Sequence, residues 1–113
     1  MAGSEGLVAW LLEALAPLGG VVAKRMFGGH GLFHHGLMFA LVARDAGWFR
    51  ADALTQPDYV AAGCGPFEYR RGGKTVALGY WQVPADVLDE PEALCAWARR
   101  ACAAAQRAKT AGR

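Results

Sequence analysis

Between Val21 and Ala51 glycine cuts the chain into short apolar segments, residues 21–26, 30–33, 37–43 and 48–51, and this punctuation restricts the fold more than any other feature. The separators "HHG" and "RDAG" are of hairpin length and contain glycine, so the four segments read as an antiparallel meander. One segment, "LMFALVA", is apolar at both parities, which predicts a central strand covered on both faces or lying at a subunit contact.

The flanks follow a helical period. Ser4 is placed to cap a first helix carrying Leu7, Val8, Leu11, Leu12 and Leu15, which Pro17 and Gly19-Gly20 stop. Thr55-x-x-Asp58 is a capping-box variant opening a short middle helix that contains Pro57 in its first turn and ends at Gly63. The run "PFEYRRGGKTVALGYWQV" reads as a hairpin, residues 67–70 and 74–83 turning at Gly72-Gly73. Asp89-x-x-Glu92 reads as a second capping box for a long helix with Leu94, Trp97, Ala98, Ala101 and Ala105 on one stripe; the residues after about 109 are expected to fray. The result is an α+β fold of two layers: an antiparallel sheet, meander plus hairpin, with the N-terminal, short middle and long C-terminal helices packed on one face. At 113 residues this is one domain, 1–113, with a core at about 5–108.

Composition narrows the function classes. A net charge of +2 is too small to imply nucleic-acid binding, although the stretch from Arg99 holds five cations and no acid. No apolar run approaches the roughly 18 residues of a membrane span, and the N-terminus lacks the pattern of a signal peptide, so the expected location is the cytoplasm. Three cysteines without a C-x-x-C pair suit a reducing compartment. Cys95 and Cys102 share a helix face but stand about 10 Å apart along it, too far to bridge.

Each candidate site has a plain architectural reading. "FGGHG" lacks the G-K-[ST] of a phosphate loop and precedes a strand rather than a helix, so Gly28-Gly29 marks a bulge, a bend or a close backbone approach. The alternative there is a small-ligand or anion site beside Lys24 and Arg25. His30 and His34 would share a strand face about 13 Å apart, beyond one metal ion's reach, and His34 and His35 decorate a turn, so no metal site is expected. Cys64 in "AAGCGPF" reads as a small apolar residue at a helix-to-strand junction, and no nucleophile has an evident base. Tyr69, Arg70, Arg71 and Lys74 on the hairpin, with Arg99, Arg100, Arg107 and Lys109 on the last helix, form a basic set able to contact phosphates. Most of Trp10, Phe27, Phe39, Trp48, Phe67, Tyr80, Trp81 and Trp97 belong to the core. Because adjacent strand residues face opposite ways, Tyr80 or Trp81 must lie on the side away from the helices, where an exposed ring would mark a dimer or partner surface.

The blocks "KRMFGGHGLF", "GLMFALV", "GWFRAD" and "GCGPFEYRRGGKTVALGYWQVPADVLDEPEALCAWARRA" together resemble the N-terminal domain of the TfoX/Sxy family, regulators of natural competence. The likeness runs from about Val8 to Ala108, with the R-M-F-G-G, P-F-x-Y and Y-[YW]-x-x-P blocks in family order. It implies an α+β domain with an antiparallel sheet, no catalytic residues, and a transcription-related role in which the full-length regulator assists the cyclic-AMP receptor protein. Two-domain members carry a further helical domain, so a chain ending here is expected to be a stand-alone N-terminal domain. The signature falls on Arg25, Met26, Phe27, Gly28, Gly29, Pro66, Phe67, Tyr69, Tyr80 and Pro84, all expected to be structural. Residues and resemblance together predict a non-enzymatic regulatory domain without cofactor, acting through a protein partner or a second copy of itself. Its expected surface is Tyr80 and Trp81 with Arg70, Arg71 and Lys74, and direct nucleic-acid binding by the hairpin and last helix is the alternative.

Overall fold

The structure, a computed structural model, describes residues 3–26 and 28–111. Six strands form one antiparallel sheet: β1 (Val21–Met26), β2 (Gly29–His34), β3 (Leu37–Ala43), β4 (Ala46–Arg50), β5 (Pro66–Arg71) and β6 (Lys74–Gln82). The first four run as a meander, and the β5–β6 hairpin joins through β6, giving the order β1-β2-β3-β4-β6-β5. Helices α1 (Gly3–Ala14), α2 (Gln56–Ala61), α3 (Ala85–Leu88) and α4 (Pro91–Ala111) share a core with one face of this sheet. Among the described residues no helix is long and apolar enough to cross a membrane.

Two-residue turns set the registers. His35-Gly36, Arg44-Asp45 and Gly72-Gly73 all have positive φ at both positions, the backbone that matches the right-handed twist of the flanking strands. The expectation of a four-residue "RDAG" connection is therefore corrected, because Ala46 and Gly47 belong to β4. Gly47 faces the core, where a side chain would meet Leu11, Val83 and Leu88. Holding Arg44 and Asp45 left-handed costs roughly 1–2 kcal/mol each. The Arg44 guanidinium lies 4.3 Å from the Phe67 ring centroid, a contact that offsets part of that strain.

β3 is apolar at both parities because it serves two cores. Leu32 pairs with Ala40 but Phe33 with Met38, so Phe39 is an extra residue and the side-chain alternation slips there. Phe39, Ala40 and Val42 join the helix-side core, while Met38, Leu41 and Ala43 belong to a cluster on the opposite face.

On the helix side, Leu11 and Leu15 meet Leu32, Phe39, Val42, Phe49 and Leu94, all essentially without solvent contact. The buried stripe of α4 is Leu94, Cys95, Ala98, Ala101, Ala104 and Ala105, small enough for the helix to lie close over β3 and β4. Trp97, expected on that stripe, is half-buried and meets Tyr59 edge-on at 4.9 Å. Polar atoms buried by this packing find backbone partners. Trp10 Nε1 donates to the Leu88 carbonyl at 2.9 Å, and the Cys95 thiol donates to the Ala14 carbonyl at 3.1 Å.

Several helix-boundary expectations change. Helix α3 was not foreseen, and Asp89 closes it instead of opening the long helix. The Glu90 carbonyl accepts the first α4 bond, from Leu94 N, with Pro91 following as the first helical residue. Thr55 makes no side-chain cap; its hydroxyl accepts from Asp52 N at 3.0 Å, and the Asp58 carboxylate pairs with Arg100. Gly63 does end α2, through Gly63 N to Val60 O and Cys64 N to Tyr59 O, the paired bonds of a Schellman motif. Residues 109–111 are helical, while the rest of the tail expected to fray and the Ser4 side chain expected to cap α1 lie outside the described set. Near the α4 C-terminus Arg107 Nε binds the Asp52 carboxylate at 2.7 Å, and this hydrogen bond keeps that carboxyl below its usual pKa.

Candidate interaction surface

The side of the sheet away from the helices has two unequal halves. Toward β4, β6 and β5, Leu41 of β3 joins Trp48, Phe67 and Tyr80, and the four bury one another. Trp48 meets Phe67 edge-on at 5.0 Å and donates Nε1 to the Ala43 carbonyl at 3.1 Å. These rings lie two strands apart in the sheet, so β6 must curl for them to touch. The curl comes from a bulge: between pairs Glu68–Ala77 and Pro66–Trp81, β6 has more residues than β5 and Gly79 takes φ +80°. A side chain at Gly79 would lie 2.9 Å from Arg50 Nη1, which itself donates to the Leu78 carbonyl at 3.0 Å.

Tyr80 and Trp81 therefore form no joint exposed anchor. Trp81 packs toward the helices beside Tyr59, at 6.2 Å between ring centroids. Tyr80 is on the helix-free side but only 8% exposed, under the Arg50 guanidinium and donating its hydroxyl to Met38 O at 3.3 Å. Burial raises its phenol pKa, so it stays a neutral donor. The hairpin cations divide as well. Register puts Arg71 and Lys74 on the face of Phe67 and Tyr69, and Arg70 on the other.

The other half, β1 to β3, is the open one. Val22 pairs with Phe33 and Phe33 with Met38, placing all three on the helix-free side. Met26 joins them, since a side chain at Gly31 would touch both Met26 and Met38 sulfurs. Val22 is 51% exposed and the others are half-buried. The surface expected from sequence left this strip out, Phe33 included, because it was drawn from the adjacent ring pair Tyr80 and Trp81. Its signal was the period-two pattern of Val22, Lys24 and Met26. Charge is also segregated here: Glu68 is the sole acid in the six strands, and register places it opposite Ala77 on the helix side. Lys24, Arg50, Arg71 and Lys74 thus frame the helix-free face with no acidic strand residue among them.

The glycine pair straddles the β1–β2 turn, with Gly28 at φ +75° and Gly29 opening β2 against the Val42 carbonyl oxygen. A carbonyl oxygen in that position repels anions. His34 and His35 stack on each other, while His30 pairs with Val42, and among the described residues no group of three potential ligands is placed to hold a metal ion. Two of the thiols are held protonated: burial raises Cys64 and takes Cys102 up to about 11. At neutral pH this leaves about a hundredfold less thiolate at Cys102 than in a free thiol, so its reaction with Ellman's reagent is expected to be slower by about that factor in the native protein. Unfolding in urea should restore the ordinary rate.

A family model described as the TfoX N-terminal domain matches residues 13–105. The chain belongs to that family. No curated protein matches it. In this TfoX N-terminal domain the described signature positions lie on the strands, a turn and the start of α3. Arg25 pairs with His30 across the first hairpin, and Met26 covers Gly31. Pro66 opens β5, Phe67 and Tyr80 are in the second core with Tyr69 against it, and Pro84 caps α3. Phe27 lies outside the described residues.

Proposed function

We propose that this domain is a non-enzymatic, transcription-related regulator that docks a protein partner on the β1–β2–β3 half of its helix-free face. The observation that carries this is the strip Val22, Met26, Phe33 and Met38, apolar and without helix cover, with Lys24 on the same face over the Phe33 ring. Methionine side chains adapt to varied apolar partners, and the rim favours an acidic one. A second copy of the same face would bring Lys24, Arg50, Arg71 and Lys74 toward their like, so a different protein fits better than a homodimer. The protonated thiols and the family membership support a role without catalysis or cofactor, in a reducing cytoplasm.

The nucleic-acid reading is weaker because its two parts point apart. Arg71 and Lys74 face away from α4, and on α4 Arg100 and Arg107 are engaged by Asp58 and Asp52. Binding that falls steeply with salt in a gel-shift series would favour it instead. The test of docking is native pull-down with wild type and a Val22→Ser/Phe33→Ser variant, each checked for fold by circular dichroism. Specific partners should be lost from the variant, with a stability cost of about 1–3 kcal/mol. Identical partner sets from both proteins would refute the assignment.

A further inference from the structure

Where the β2–β3 turn meets the last turns of α4, on the helix side, a cleft of about 250 Å³ is lined by His34, His35, Leu37, Cys102, Gln106 and Lys109. We infer that this cleft binds a doubly charged oxyanion, a phosphate or sulfate group. Its volume is the share of about eight waters at roughly 30 Å³ each, room for such a group and part of what carries it.

Two imidazoles form part of the cleft wall. Their rings stack in parallel, with centroids 4.0 Å apart and planes 13° from each other. The stack depends on His35 at φ +52° in the turn, and Gly20 leaves space beside it, since a side chain there would come within 3.5 Å of the ring. Phe39 meets the His34 ring edge-on at 6.5 Å from the other side. Parallel rings hold their nitrogen lone pairs alongside one another, so they do not converge on a metal ion. Protonated, each ring carries two in-plane N–H donors, so one donor from each can reach an oxygen of the same anion.

Charge points the same way. Two imidazolium ions about 4 Å apart repel, so the second proton is best accommodated with a counter-anion between them. From α4 come the Lys109 ammonium and the Gln106 amide, while the Cys102 thiol is neutral. Among the described residues no carboxylate lines the cleft. The carbonyl end of α4 opposes an anion there, which makes Lys109 the residue on which affinity depends most.

Sulfate is the clean probe because, unlike phosphate, it stays a dianion from pH 5 to 8. Titrations of the whole chain at constant ionic strength, followed by NMR of the histidine ring protons, should show saturable sulfate binding about tenfold tighter at pH 5.5 than at pH 7.5. By reciprocity, saturating sulfate should perturb the ring-proton resonances of His34 and His35 more strongly at pH 5.5 than at pH 7.5. His30, which does not line the cleft, is the internal reference and should not respond. Lys109→Met, at an exposed position that keeps helix propensity, should lower affinity tenfold or more, and His34→Gln should abolish the pH dependence. Lys24→Met, on the opposite face, should change neither. Equal shifts at all three histidines, unaltered binding in Lys109→Met, or acetate binding as tightly as sulfate would each mean an adventitious ion only and overturn the site. Inorganic phosphate and glycerol 3-phosphate then separate the sources: tighter binding of the ester indicates a phosphorylated small molecule, and equal binding a free ion, both in support.

Discussion

Trp48→Ala is expected to lower the folding free energy by about 3–5 kcal/mol, as much as truncating Phe49 beside it. The two residues are neighbours on β4 and face opposite ways, Phe49 into the helix-side core at 0% exposure and Trp48 into the helix-free cluster at 8%. An open sheet with helices on one side only would give a large loss at Phe49 and almost none at Trp48. The structure predicts two large losses, because removing the indole strips the edge-on partner from Phe67 and uncovers Leu41 and Tyr80. Urea denaturation of both variants measures this, with Val22→Ala as the reference for an exposed strand position. A Trp48→Ala midpoint within about 0.5 kcal/mol of wild type would mean that the second cluster contributes no stability.

The second large effect belongs to Gly29→Ala. A Cβ there would run into the Val42 carbonyl oxygen, a backbone atom that moves only if β3 moves. The neighbouring pair His30–Val42 would have to open, so the expected cost is about 3 kcal/mol or more, at the upper end for overpacking. Gly28→Ala is the control. Gly28 has φ +75° with open space around it, so alanine there meets only the left-handed backbone penalty of roughly 1–2 kcal/mol. Gly28→Asn should cost less still, since asparagine tolerates that conformation. Equal losses for the two alanine variants would sink the close-approach explanation of Gly29.

These results bear on how an interaction surface is found. Tyr80 and Trp81 look like anchors in sequence because a strand must show one ring on each side. Both prove to have neighbours: Trp81 meets Tyr59, and Tyr80 lies in the cluster closed by the bulge at Gly79. Alanine at both would remove parts of two cores, so a loss of partner binding in that variant would report unfolding as readily as docking. The exposed strip Val22, Met26, Phe33 and Met38 is the surface to probe.

By itself the sequence determined the six strands, the meander and hairpin, and the layer of helices, because glycine punctuation and residue period act over a few neighbouring positions. It also marked Gly28-Gly29 as a bulge, a bend or a close backbone approach, and pointed to the family through motifs read in order; that the close approach falls at Gly29 alone came from the structure. The tertiary structure alone decided which faces are covered. The slip at Phe39 and the curl at Gly79 redirect side chains through contacts between residues distant in the chain. It likewise brought His34 and His35 to Lys109, since a turn and a helix end some seventy residues apart become neighbours only when the whole core has packed.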